Sequence, residues 1–196
     1  MQTLKSDFRA LCGVELPYQG RQKYMHTFDL ADPKMAVGFE DYFNPVLALC
    51  KAAGALQGIA HMTVDEKVIE PGRSQRRPGP HVDGCFIPEK GWGHGGGGGW
   101  NHYCNHIPMK SIARMPVIIA ASAVGCRAWK GQFDAAPKED GDLSHISRLL
   151  GDGTVLAPNV GYLLSADCVH ESLVLTQTTQ RSFMRIALPV DFVFNA

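Results

Sequence analysis

His81 and Asp83 stand two residues apart in the stretch Arg77-Pro-Gly-Pro-His-Val-Asp-Gly84. On an extended chain both side chains leave the same face. An imidazole beside a carboxylate supplies two thirds of a facial metal site, and the missing third is one more histidine from elsewhere in the chain. His170 is the candidate, because Asn159-Val-Gly-Tyr-Leu-Leu-Ser-Ala-Asp-Cys-Val-His170 reads as a turn and a strand that deliver a histidine at a strand edge. Two histidines and one carboxylate cover one face of an octahedral iron(II) and leave three positions open for reaction partners.

A second strand follows at once. Arg181-Ser-Phe-Met-Arg-Ile-Ala-Leu-Pro189 has apolar residues in both alternating sets, the pattern of a strand buried on both faces. Arg181 opens it, and its planar guanidinium can hold a carboxylate through two parallel hydrogen bonds. Arg185 shares the strand and the face and competes for that role. His145 competes with His170 for the third ligand position but falls in a stretch that reads as a short helix.

The ordered set His81-x-Asp83, His170 some ninety residues on, and Arg181 eleven later resembles the iron(II)/2-oxoglutarate-dependent dioxygenase superfamily. The resemblance covers roughly the C-terminal two thirds of the chain. It implies a mainly β fold with flanking helices, a double-stranded β-helix (jelly-roll, cupin-like) barrel with the metal near its open end. It also implies iron(II) on His81, Asp83 and His170, with 2-oxoglutarate chelating the metal and its far carboxylate on Arg181, or alternatively Arg185. Molecular oxygen is the second cosubstrate, and a C–H bond of the prime substrate is hydroxylated with succinate and CO2 as co-products. Many members carry serine two residues after the arginine. Phe183 stands there in this chain, so another residue must supply that hydrogen bond.

The rest of the chain bounds this reading. Its 196 residues, 45% hydrophobic, suit one domain, with residues 1–58 as helical or irregular support and 59–196 as the β core. Lys and Arg total 19 and Asp and Glu total 19, so no global field points to nucleic acid or an anionic membrane. The one dense basic run, Arg73-Ser-Gln-Arg-Arg77, reads as a solvated loop. No apolar run reaches the roughly twenty residues of a membrane span, and the charged N-terminus is unlike a signal peptide. Six scattered cysteines without CxxC pairs suit reduced thiols, so a cytoplasmic protein is expected, with Cys50, Cys126 and Cys168 in the core.

Along the chain, the spacing predicts a short helix or coil and then a strand near Tyr24 to Phe28. A helix follows from Asp41 or Asn44, with Pro45 in its first turn and Val46, Leu47, Cys50, Ala53 and Leu56 on one face. A strand runs over His61 to Glu70, and the metal strand continues through Phe86 and Ile87. Gly-rich residues 91–99 include Trp92, run up to Trp100 and read equally as a lid over substrate or as an inert insertion. His94, His102, Cys104 and His106 match no established zinc spacing. Strands are then expected over 115–122, 126–133, 154–157, 162–166, 170–176 and 181–188, with a short helix at 144–150. The substrate stays open between a small metabolite, an amino-acid side chain and a nucleobase. Arg73, Arg76, Arg77 and Lys130, with Trp92, Trp100 and Trp129, suit an anionic or base-containing one. The competing readings are a non-catalytic cupin-like binding protein and a structural jelly roll.

Overall fold

A strand with apolar residues on both sides needs cover on both faces, and the molecule supplies two different covers. The computed structural model describes residues 3–83, 86–87, 91–92, 115–138, 141–189 and 191–195. From the N-terminus these form β1 (Thr3–Ser6), β2 (Phe8–Gly13), β3 (Gln22–Asp29), α1 (Phe43–Ala53), β4 (Ile59–Ile69), β5 (Phe86–Ile87) and β6 (Gly91–Trp92). There follow β7 (Val117–Ala121), β8 (Cys126–Trp129), β9 (Gly131–Asp134), β10 (Thr154–Val155), β11 (Val160–Leu164), β12 (Val169–Ser172) and β13 (Thr179–Ala187), with 3-10 turns at Glu40–Tyr42 and Ser144–Leu149. One sheet has the order β2-β11-β7-β13-β4-β3 and a second β10-β8-β12, while β1-β9 and β5-β6 form separate pairs. Every paired strand is antiparallel.

Register decides which residues share a face. β13 pairs Arg185 with Thr63 of β4 and Ile119 of β7, and Phe183 with Asp65 and Ala121. This face meets the small sheet in a cluster that joins Phe8, Ile119 and Phe183 to Cys126, Ala128 and Cys168. The alternate set, Met184 and Ile186, packs with Met62, Val64, Ile118 and Leu163 against Val46 and Leu49 of α1. Burying each such side chain contributes roughly 1.5–3 kcal/mol. A third cluster, with Leu4, Val82, Trp129, Leu143, Ile146 and Val169, covers the outside of the small sheet.

Helix α1 ends where Gly54 adopts φ 78 and its N–H reaches the carbonyls of Cys50 and Lys51. The buried face of the helix is Val46, Leu49, Cys50 and Ala53, whereas Leu47 and Leu56 of the expected face are exposed. Two other expectations change. The described strands form two open sheets and two separate pairs, and not a closed barrel. Residues 3–58 hold, besides α1 and irregular segments, the expected strand near Tyr24–Phe28 as β3 and two further strands, β1 and β2, that pair with strands distant in sequence. Cys50, Cys126 and Cys168 are buried free thiols, as expected. No helix among the described residues is long and apolar enough to cross a membrane.

Candidate metal centre

The site begins with prolines. Pro78 and Pro80 carry no backbone N–H, so the chain before His81 cannot make a regular ladder, and it docks on β12 through isolated bonds instead. The N–H of His81 donates to the carbonyl of His170 at 2.9 Å, and the N–H of His170 to the carbonyl of His81 at 3.0 Å. On the other side Val82 donates to Gly141 at 3.0 Å and Leu143 to Pro80 at 2.9 Å. The expected metal strand is thus an irregular segment between β12 and residues 141–143, bridged at His81. The pairing puts both imidazoles on one side, with ring centroids 4.6 Å apart.

Each imidazole is fixed in the form a metal requires. Nδ1 of His81 donates to the carbonyl of Gly79 at 2.8 Å, and Nδ1 of His170 to the carbonyl of Cys168 at 3.0 Å. A carbonyl only accepts, so Nδ1 carries the proton in both rings and Nε2 is the atom left to face a metal. Burial, and next the neighbouring His170, push His81 down to about 3, which keeps its ring neutral. Burial alone would raise the Asp83 carboxyl. Arg185, followed by the two histidines, outweighs it and holds the group well below the usual carboxylate range. Nη1 of Arg185 donates to Oδ2 of Asp83 at 3.0 Å, and that oxygen lies 3.8 Å from Nε2 of His170.

His81, Asp83 and His170 therefore offer two imidazole nitrogens and one carboxylate oxygen, all within 4.8 Å of one another. Donors about 2.1 Å from a common ion lie at most about 4.2 Å apart. A small side-chain rotation closes that gap, so the group fits one divalent ion. His145 is exposed on its 3-10 turn, away from this group.

The cavity over the group is lined by Ile119, Cys126, Ser172 and Phe183 and by three arginines, Arg76, Arg77 and Arg185. Arg181 does not line it. That residue is 1% exposed and lies behind Cys126, which lines both this cavity and a second one that Arg181 reaches. Its guanidinium donates through Nε to the carbonyl of Ala123 at 2.9 Å, through Nη1 to Oε1 of Gln75, and through Nη2 to Sγ of Cys126 at 3.2 Å. None of these partners is a carboxylate.

Two features here have no local sequence signal. Gln75 is buried, donates to the carbonyl of Asp65 at 2.5 Å and orients Arg181 from 106 residues away. Arg76 and Arg77 are not in a solvated loop, since their side chains are only 24% and 22% exposed. Trp92 belongs to β6, paired with β5. Trp100, residues 93–99, His94, His102, Cys104 and His106 lie outside the described residues. Comparison with known proteins finds no family model and no curated relative that match this chain.

Proposed function

We propose that the protein is an iron(II)- and 2-oxoglutarate-dependent dioxygenase that hydroxylates a C–H bond of a prime substrate. The observation that carries the reading is the His81, Asp83 and His170 group, with both Nδ1 atoms tied to carbonyls and the carboxylate held ionised. Strand order supports it. In sequence, β4, the His81 segment, β7, β8, β10, β11, β12 and β13 fall in the large sheet, small, large, small, small, large, small and large. That distribution over two facing sheets is what a jelly roll requires.

Bound iron(II) would supply oxygen activation coupled to conversion of 2-oxoglutarate to succinate and CO2. The chain's own residues hold and orient. His81, Asp83 and His170 would bind the metal, and Arg185 fixes the carboxylate ligand through Oδ2, as outer partners of metal ligands do. Arg181 is the anchor for the far carboxylate of the cosubstrate, because it is a buried cation without an acidic partner among the described residues. Cys126 must yield its contact with Nη2 for that carboxylate to arrive. The apolar wall of Ile119 and Phe183 limits water around the reacting centre.

That same contact favours one alternative, a non-catalytic cupin-like metal protein in which Cys126 stays closed over Arg181. Anaerobic titration of the apo protein with iron(II) and then 2-oxoglutarate separates the two. A weak visible charge-transfer band that is absent in His170→Ala supports the dioxygenase. Iron binding with no band supports the alternative, and absence of iron binding removes both.

A further inference from the structure

We propose that Gln75 is a positioning residue for the far carboxylate of the cosubstrate: its neutral amide holds the Arg181 guanidinium in place and leaves the charge of that group to the ligand. The role rests on the dioxygenase reading; the contacts that define it do not. Gln75 is 4% exposed, and its neighbours admit one orientation of its amide. Nε2 lies 2.5 Å from the carbonyl of Asp65 and 3.3 Å from that of Arg181, and carbonyls only accept. Oε1 receives Nη1 of Arg181, which only donates. The site thus asks for donors on one side and an acceptor on the other, which a carboxamide supplies and a carboxylate does not.

Two oxygen acceptors fix the guanidinium and a weaker one covers it. Nε donates to the carbonyl of Ala123 at 2.9 Å and Nη1 to Gln75, whereas Nη2 meets Sγ of Cys126 at 3.2 Å. Sulfur is the poorer acceptor, so the Nη2 edge is the one that an arriving carboxylate can take over. A Cβ at Gly125 would stand 3.0 Å from Cζ and from Nε, so the main chain leaves the group no room to swing on that side. Cys126 lines both the metal cavity and the cavity that Arg181 reaches. By holding Nη1, Gln75 keeps the exchangeable edge on the wall that the two cavities share.

The segment that carries Gln75 runs on to the first candidate metal ligand. Its main chain is tied to β12 and the residues just after it. The carbonyl of Arg73 receives the N–H of Leu175 at 2.9 Å, the N–H of Arg76 donates to Oγ of Ser172 at 3.2 Å, and the carbonyl of Arg77 receives the N–H of Ser172 at 3.2 Å, before His81 meets His170. Residues 73–81 therefore place both the group that orients Arg181 and a ligand of the metal. Charge completes the argument. Each hydrogen-bond partner of Arg181 among the described residues is neutral. Gln75→Glu would pair the guanidinium inside the protein, and that internal carboxylate would compete with the one on the cosubstrate.

The test uses the full-length protein with iron(II) under nitrogen, titrated with 2-oxoglutarate and, separately, with 2-oxopentanoate, which has the same carbon chain and no far carboxylate. The visible charge-transfer band reads both ligands, and iron titration with thermal unfolding of the apo protein checks each variant. Gln75→Glu and Gln75→Met should bind iron within about threefold of wild type, bind 2-oxoglutarate at least tenfold more weakly and leave the affinity for 2-oxopentanoate nearly unchanged. That split supports the role, because a merely structural fault weakens both oxo acids alike. Equal weakening of the two oxo acids in Gln75→Glu, or unchanged 2-oxoglutarate affinity in that variant, overturns it. Should Gln75→Met fail to fold, Gln75→Glu decides alone, since it keeps the size of the side chain and the acceptor for Nη1. A wild type that binds iron and gives no band with either oxo acid overturns the dioxygenase reading and this role with it, whereas a wild-type band kept at full affinity in Gln75→Glu overturns the role of Gln75 only.

Discussion

His81 and His170 are joined through their main chains, each N–H donating to the other's carbonyl at 2.9 and 3.0 Å. The two imidazoles are thus set side by side by backbone bonds that do not depend on either side chain. His81→Ala or His170→Ala should lose iron binding at least a hundredfold while the melting temperature of the apo protein changes little. Anaerobic iron titration and thermal unfolding of the same samples check this.

Asp83 differs from the histidines because it compensates a buried guanidinium. Asp83→Ala removes the carboxylate that receives Arg185 at 3.0 Å, and breaking a buried pair in this way costs roughly 3–5 kcal/mol. The variant should lose iron and also unfold at clearly lower denaturant than His81→Ala. Equal midpoints would mean that the pair contributes little.

The two arginines of β13 should separate by ligand. Arg185→Gln should weaken iron binding by about 10–100-fold, as loss of an outer partner of a ligand does. Arg181→Gln should leave iron affinity near wild type and raise the 2-oxoglutarate requirement by at least tenfold, the loss of a charge-assisted contact worth a few kcal/mol. Titrations of each variant with both ligands decide the roles, and the reverse pattern would exchange them.

Acid should destabilise the apo protein in two windows. His81, lowered from 6.5 to about 3 by burial and His170, binds its proton in the unfolded chain at a pH where the folded chain refuses it. Stability present above about pH 6.5 is therefore lost as pH falls toward 3, by about a few kcal/mol in all. Glu66 is lowered from 4.5, burial being outweighed by hydrogen bonds from Arg21, Gln19 and Tyr42, so its contribution falls away only below about pH 4.5. Denaturant unfolding from pH 8 to 3.5 should flatten over the upper window in His81→Gln and over the lower one in Glu66→Gln.

Gly161 marks where helix α1 meets β11. A methyl group there would stand 2.0 Å from Cδ2 of Leu49, which is fully buried and has no open space to turn into. Gly161→Ala should cost about 1–3 kcal/mol by overpacking. Urea unfolding checks it, and Gly161→Ala combined with Leu49→Ala should cost less than the sum of the two single losses.

Much of the large sheet was legible because its signal is local. β13 and β7 carry apolar residues in both alternating sets and are buried on both faces. The Pro45 first turn of α1 follows from the chemistry of proline, whereas the expected face ran on to Leu56, past the stop at Gly54. The His81, Asp83 and His170 group was legible from residue type and order, and the structure brings those three together. β1 and β2 were not legible, since they are held by partners 131 and about 150 residues away and have little pattern of their own. Arg181 and Arg185 share a strand and a face. Only Cys126 and Gln75 on one and Asp83 on the other tell them apart. Arg76 and Arg77 were legible as basic residues that suit an anionic substrate, but their place in the cavity lining was not, because it depends on Ser172 and on the rings of Tyr24 and Phe183.

The alternation of consecutive strands between two sheets sets a timetable for the protein's life. Almost no neighbouring pair in sequence completes a sheet by itself, so loop closure over long separations must precede most of the stabilising contacts. Chains of this kind fold in roughly milliseconds to seconds, slowly for their size. His81 and His170 meet only when segments 89 residues apart have docked. On the proposed reading metal capture would consequently be a late event: a metal ion offered during synthesis would find no ready binding place, and loading would report that assembly of both sheets is complete.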